Sequence, residues 1–311
     1  MALHEFSFPS HNGRDEIQAW IQVPVTTPRA IVQIEHGLGE HSRRYQRLSD
    51  RLLDAGVVVA ADDHAGHGRT AVLSGAWADT GADGRDTVIA DEETLRARVT
   101  GMFPDLPYLI YGHSWGSMIA RAQVTRHPGG VSGLVLGGIA AGWRAIETFD
   151  RQALEWAIGE GDGSGSGEEF AHALFEGFLD RYDDVRGPTD WVALDRDVVA
   201  DHGADPLNGF GTPLSLRFVR DLVDLYDEVE GGAFAELVPD DLPVLILAGD
   251  QDPVCGFGEG AYRAANELVD AGTRDVRTRV YTGFRHEVHN EPPIRDEAAQ
   301  EILEHVARVV G

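Results

Sequence analysis

Residues 112–116 read Gly112-His113-Ser114-Trp115-Gly116, and the run before them, Leu106-Pro107-Tyr108-Leu109-Ile110-Tyr111, is short and apolar. Ser117 to His127 then has the composition of a helix. A strand that turns into a helix across Gly-x-Ser-x-Gly pushes the serine hydroxyl out of the sheet. Both glycines are required there, because a side chain would collide with the neighbouring strand or helix. Gly-x-Ser-x-Gly alone arises by chance in many chains. With a strand before it and a helix after it, the pattern specifies a nucleophile elbow.

An elbow needs an acid and a histidine later in the chain, in that order. Leu242 to Gly249 reads as a buried strand and ends in Asp250-Gln251-Asp252-Pro253. Val276 to Tyr281 alternates like a strand and opens into Gly283-Phe284-Arg285-His286-Glu287. Both groups then lie at the carboxyl edge of a parallel sheet, where ligands bind in such sheets.

Alternation of strands and helices implies a mostly parallel sheet covered on both faces. Residues 4–8 and 16–23 form two opening strands about a turn at Asn12-Gly13. Ala30 to Glu35 is a buried strand ending in His36-Gly37-Leu38-Gly39, and Arg43 to Ala55 is a helix. Val57 to Ala61 is a strand, Asp86 to Gly101 a helix, and Gly133 to Leu136 the strand after the elbow helix. The alternation stops near Trp143. Helical stretches follow near 144–158, 168–181, 189–200 and 213–228, broken by a Gly/Ser/acidic link from Gly159 to Gly167. These divide the chain into a core of 1–142 and 236–311 and an inserted helical cap of 143–235 over the sheet edge.

Bulk properties narrow the function. A chain of 311 residues buries a large core. No apolar run reaches about 18 residues, so no membrane span is expected. The start, Met-Ala-Leu-His-Glu-Phe, lacks the features of a secretory signal, and one cysteine excludes an internal disulfide. A cytoplasmic location is therefore expected. The formal charge of −26, with no lysine in the chain, argues against nucleic acid and anionic membranes as partners.

Ser114 needs a base within hydrogen-bond reach and a carboxylate that orients the base. His286 is the expected base, with His289 the alternative, and Asp252 the expected acid, with Asp250 the alternative. The developing oxyanion needs two backbone N–H donors. Trp115, directly after the serine, supplies one, and Leu38 in the turn after the Ala30–Glu35 strand supplies the other. Gly37, His113 and Cys255 are candidate substrate contacts. His36, His41, His64 and His67 lack a converging ligand pattern, so no metal is expected, nor any other cofactor.

Taken together the motifs resemble the α/β-hydrolases of the monoacylglycerol lipase, lysophospholipase and serine aminopeptidase S33 group. The matching residues are His36-Gly37-Leu38-Gly39-Glu40-His41 with Arg44-Tyr45, Asp63-His64-Ala65-Gly66-His67-Gly68-Arg69-Thr70 and Gly112 to Ser117. Gly249-Asp250-Gln251-Asp252-Pro253-Val254 and Arg285 to Glu291 complete the set, and the cap segments Asp190 to Asp197 and Asp205 to Phe210 resemble a bacterial branch. The resemblance implies an α/β-hydrolase fold with a helical cap and Ser114, Asp252 and His286 as a triad. It also implies oxyanion N–H groups from Leu38 and Trp115. Trp115 stands where methionine is common, and its bulk is expected to narrow the acyl side of the pocket. The expected activity is hydrolysis, through an acyl-enzyme on Ser114, of carboxylic esters that are monoacylglycerol- or lysophospholipid-like or other monoesters, with an apolar acyl chain and a small or polar alcohol. An amide or peptide hydrolase, or a non-catalytic binding protein on the same scaffold, are the rival readings. Among Trp143, Phe149, Trp156, Phe170, Phe175, Phe178, Trp191, Phe210 and Phe218, some are expected to line an acyl pocket.

Overall fold

Runs rich in Val, Ile and Leu become the inner strands of one sheet, as expected for strands covered on both faces. A computed structural model describes all 311 residues. In chain order come β1 (Ala2–Pro9), β2 (Glu16–Val23), β3 (Ala30–Glu35), α1 (Gln46–Asp54), β4 (Val57–Asp63), α2 (Gly68–Ser74), α3 (Gly84–Met102), β5 (Tyr108–His113), α4 (Trp115–Arg126) and β6 (Gly133–Gly137). Six helices follow without a strand among them: α5 (Arg144–Glu147), α6 (Arg151–Ile158), α7 (Glu168–Leu174), α8 (Arg196–Ala204), α9 (Leu216–Glu228) and α10 (Gly231–Ala235). The chain ends with β7 (Val244–Gly249), α11 (Glu259–Ala271), β8 (Val276–Tyr281) and α12 (Arg295–Val310).

The eight strands are ordered β1-β2-β4-β3-β5-β6-β7-β8. β1 and β2 pair antiparallel, β2 meets β4 antiparallel, and all other pairs are parallel. β5 therefore lies at the centre and delivers Ser114 to the middle of the carboxyl edge. β3 enters from one side; β6, β7 and β8 follow on the other. Strands β3 to β7 are buried along their whole length, whereas β1 and β8 are the open edges.

Each face of the sheet has its own apolar core. On one, Val32, Val59, Leu109 and Leu245 pack against Leu48 and Leu52 of α1 and Ile302 and Val306 of α12. On the other, Ile110, Leu134 and Ile246 share a continuous cluster with Trp143, Phe178, Trp191 and Phe218 of the insertion. The insertion is thus anchored by the same burial that holds the sheet. α9 presents Phe218, Leu222, Leu225 and Tyr226 inward and packs beside α3 and α4.

Several insertion elements differ from the sequence expectation. The stretch 144–158 is two helices, and the one expected over 168–181 stops at Leu174, with Gly177 at φ 78° shortly beyond. The helix expected over 189–200 begins only at Arg196, where the Asp195 side chain accepts from the N–H groups of Asp197 and Val198. Residues 190–195 are not helical because their backbone groups are bonded to the loop after β8. Val192 O accepts from Glu287 N at 2.8 Å, Ala193 O accepts from Arg285 at 3.1 Å, and Glu291 accepts from Leu194 and Asp195 N–H. No helix is long and apolar enough to cross a membrane.

Candidate active site

Ser114 sits between β5 and α4 at φ 56° and ψ −119°. A non-glycine residue holds a positive φ of this kind only where its surroundings impose it. Here the Ser114 N–H donates to Gly137 O at 3.0 Å, and Ser117 Oγ donates to Ser114 O at 2.5 Å. Gly116 lies against the backbone carbonyls of Glu35 and His36, so a Cβ has no room. The turn that exposes the hydroxyl is therefore enforced from both sides.

Ser114 and His286 line one cavity, together with Gly37, Leu38, His113 and Trp115. His286 Nδ1 donates to Asp252 Oδ2 at 2.7 Å. The carboxylate fixes the tautomer, and Nε2 is left as the ring's acceptor. Burial works to lower the imidazole pKa, but the adjacent Asp252 charge outweighs it and holds the value above the ordinary histidine range. Asp252 is fully buried, and its other oxygen accepts from Val254 N–H at 2.9 Å.

The two alternatives are engaged elsewhere. Asp250 Oδ1 accepts from Gly283 N–H at 2.7 Å and closes the turn after β8. His289 stacks on Tyr45 with ring centroids 4.8 Å apart, and burial pushes its pKa down to about 3. Cys255 corrects the sequence reading. It is fully buried, it does not line the cavity, and its Sγ faces Gly249 O and Asp252 O at 3.6 Å each. Burial raises its thiol pKa well above the ordinary value, so it packs beneath the acid as a small hydrophobe.

The N–H groups of Leu38 and Trp115 donate to no other protein group, and Trp115 opens the twelve-residue α4. Backbone N–H groups at a helix start favour negative charge. The turn bearing Leu38 is held by two side chains whose roles the sequence reading did not assign. His36 Nδ1 donates to Gly37 O at 2.8 Å while its Nε2 accepts from His64 N–H at 3.1 Å; burial holds its pKa well below the ordinary value. Glu40 Oε1 accepts from Gly37 N–H and from Tyr45 OH, both at 2.6 Å, and lies 3.2 Å from His113 Nδ1. Arg44 lies 3.3 Å from Glu40 and 2.8 Å from Glu287. Burial alone would raise the Glu40 pKa; the His113 hydrogen bond and the neighbouring positive charge hold it well below the ordinary range. The spacing Gly37-x-x-Glu40 was the available signal, since a carboxylate three residues on reaches back to a turn's free N–H.

The four histidines weighed as metal ligands separate into different roles. His41 pairs with Asp205 at 2.9 Å, and His67 stacks on Trp115 at 4.9 Å. His64 lies 2.9 Å from both Asp62 and Glu92, a buried trio; burial opposes its charge, yet Asp62 and Glu92 raise its pKa well above the ordinary value. Of the insertion aromatics, Trp143, Phe175, Trp191 and Phe210 line the cavity around Ser114. Phe149, Phe170, Phe178 and Phe218 pack elsewhere, and Trp156 is 85% exposed.

Residues 26–293 match the hydrolase family described as serine aminopeptidase, S33. The chain belongs to this S33 family. The S33 protein is 31% identical over 309 residues to a monoacylglycerol lipase of Mycolicibacterium smegmatis, spanning 97% of this chain and 98% of that one. Among solved structures it is similar to a lipase in its open form, at 48% identity and a TM-score of 0.96, with both chains covered in full. It is also similar to a thermostable carboxyl esterase from Bacillus coagulans, at 43% identity and a TM-score of 0.97, again over both full lengths. The fold is the α/β-hydrolase fold.

Glu40 offers a test of the turn in this S33 hydrolase. Glu40→Ala leaves Gly37 N–H and Tyr45 OH without their acceptor, so the Leu38 donor loses its position. Loss of an oxyanion donor costs roughly 10²- to 10³-fold in kcat, and a displaced turn is expected to cost about 10-fold or more, with KM little changed. Glu40→Gln keeps an acceptor of the same shape and is expected to recover most of that loss. Steady-state kinetics of the two variants decide it; equal losses would mean that the charge, not the hydrogen bond, holds the turn.

Proposed function

We propose that this S33 hydrolase cleaves carboxylic esters, monoacylglycerol- or lysophospholipid-like or other monoesters, through an acyl-enzyme on Ser114. One observation carries the reading: Ser114, an Asp252-bonded His286 and two free N–H groups converge on one cavity. The names of its relatives, a monoacylglycerol lipase, a lipase and a carboxyl esterase, support it.

Ser114 Oγ attacks the ester carbonyl carbon as His286 Nε2 takes its proton. Charge that collects on the carbonyl oxygen is met by the N–H groups of Leu38 and Trp115. His286 then passes the proton to the departing alcohol oxygen, leaving the acyl group on Ser114. Water enters, loses a proton to His286 and attacks the acyl carbon; the proton returns to Ser114 Oγ. Asp252 stays ionised and holds the imidazolium.

Residues 143–235 act as the cap in this reading, since Trp143, Phe175, Trp191, His202, Phe210 and Leu222 line the cavity that Ser114 opens into. The sequence bounds for the cap, between a core of 1–142 and 236–311, are retained. The lone buried cysteine fits a reducing, cytoplasmic setting. An aminopeptidase needs an unpaired carboxylate to hold the substrate amine. The carboxylates that line the cavity at Ser114, Glu40 and Glu287, are both paired with Arg44; Glu168 lies on the wall of the adjoining chamber, away from Ser114.

The test is a panel of p-nitrophenyl esters, monoacylglycerols, lysophospholipids and aminoacyl anilides. Esters are expected to be cleaved far faster than anilides. Each added acyl methylene buried in the pocket should lower the barrier by up to ~0.8 kcal/mol, about 4-fold in kcat/KM, until the space is full. Faster cleavage of anilides, or a steady fall from acetate onward, would overturn the proposal.

A further inference from the structure

The cavity at Ser114 has a free volume of ≈20 Å³. That is room for about one water and for no ester. Beside it lies a second chamber of ≈350 Å³, lined in part by His67, Ala171, Pro188 and Leu214. The two spaces share Leu38, Phe175, Trp191 and Phe210 as walls. Substrate cannot reach the serine from the larger chamber unless one of these four gives way.

Three of them are fixed. Leu38 belongs to the turn held by His36 and Glu40. Trp191 stands in the segment whose backbone is bonded to the loop carrying His286; Arg285 reaches Asp190 O and Ala193 O, Glu287 N–H reaches Val192 O, and Glu291 accepts from Leu194 and Asp195. Arg285 also lies over Tyr182 at 4.0 Å, and Tyr182 OH donates to Gln251 O at 2.6 Å beside the acid. Phe175 follows α7, whose last carbonyl, Leu174 O, accepts from Trp143 Nε1 at 2.7 Å.

Phe210 is different. It is flanked by Gly209 and Gly211, with Gly211 at φ 98°; Leu38 also lies between glycines, but its turn is tied down by His36 and Glu40, whereas no side chain bonds the backbone of residues 209–211. Its one backbone bond to the core is Gly209 N–H to Gly39 O at 3.0 Å, beside the Trp77 ring against which Gly209 packs and the His41–Asp205 pair earlier in the loop. It rests directly on the oxyanion turn: a Cβ on Gly39 would meet Phe210 Cα at 2.9 Å. Its ring meets Phe175 and Trp191 at 5.4 and 5.6 Å. Glycines on both sides allow the phenyl-bearing residue to swing with little backbone cost.

We propose that Phe210 is the gate between the two chambers and sets which acyl lengths reach Ser114. The proposal rests on the ester-hydrolase reading. With Phe210 aside, the spaces merge past Leu38, and the acyl chain of an ester held at the oxyanion turn extends into the ≈350 Å³ chamber. With Phe210 seated the space at Ser114 admits no ester, and the longer the acyl chain the further Phe210 must be displaced.

The measurement is the ratio of kcat/KM for p-nitrophenyl decanoate to that for p-nitrophenyl acetate. Phe210→Ala is expected to raise the ratio by ~10-fold or more, Phe210→Leu to raise it less, and Phe210→Trp to lower it by ~10-fold, since two acyl methylenes gained or lost from the pocket at about 4-fold each already amount to that. A purely structural residue would lower both rates together and leave the ratio alone. Ratios that stay unchanged, or that shift the same way for a smaller and a larger side chain, overturn the gate. Should Phe210→Ala fail to fold, the Leu and Trp variants decide the matter by the same ratio. Failure of the gate leaves wild-type ester cleavage intact, whereas failure of the ester reading appears in the wild-type panel itself.

Discussion

Replacing Ser114 by alanine is expected to lower kcat for ester hydrolysis by roughly 10⁵- to 10⁶-fold, the scale on which a serine nucleophile is worth in comparable triads. That is about 7–8 kcal/mol of barrier. Alanine fits the site of the side chain, and the turn is held by the Ser114 backbone and Gly116, so the fold should persist. The wild-type protein should take up a fluorophosphonate on Ser114 Oγ, located by peptide mass spectrometry, while the Ser114→Ala variant takes up none. An adduct on any other residue, or substantial ester turnover by the alanine variant, would remove Ser114 from the mechanism.

Asp252→Asn and His286→Ala form the second test. His286→Ala should approach the loss of Ser114→Ala, because nucleophile and base act as one unit. Asp252→Asn should cost roughly 10⁴-fold, since an amide in place of the carboxylate favours the wrong imidazole tautomer. Asp250→Asn and His289→Ala should be far milder, because neither residue touches His286 or Ser114 in this structure. A dead His289→Ala variant that keeps its fold would reassign the base. The pH profile adds a signed check. The base works only when neutral, and Asp252 holds the His286 pKa above its ordinary value against the opposing effect of burial. Activity should therefore fall on acidification with a midpoint above the ordinary imidazole range. In Asp252→Asn the residual activity should show that limb at lower pH, because the nearest negative charge is gone while burial still lowers the value against the weaker pull of Glu287 and Glu40. A limb that does not move would show that the titrating group is not His286.

Much of this was legible in the chain. The inner strands could be read because a sheet covered on both faces requires continuous apolar runs, as at Val57 to Ala61 and Val244 to Leu247. The elbow could be read because its turn tolerates only glycine at Gly116. The stretch 190–195 misled because its composition suits a helix, while its backbone partners lie about a hundred residues away on the loop around His286. Cys255 misled for a related reason: its position three residues after Asp252 says nothing about the side on which the side chain points.

What the sequence determined by itself is what short-range sterics and hydrophobic period control: the strand–helix alternation, the elbow, and the order of serine, acid and histidine. Asp252 and His286 were already favoured in the chain over Asp250 and His289; the tertiary structure added the bond between them and what engages the other two. The hold of Glu40 and His36 on the oxyanion turn was decided at the same level. So was the closure of the space over Ser114 by four walls brought from separate segments, Leu38 and Phe210 both seated between glycines but only Leu38 in a turn held by His36 and Glu40. Such contacts depend on where distant strands and loops meet, and no local pattern in the chain encodes that meeting.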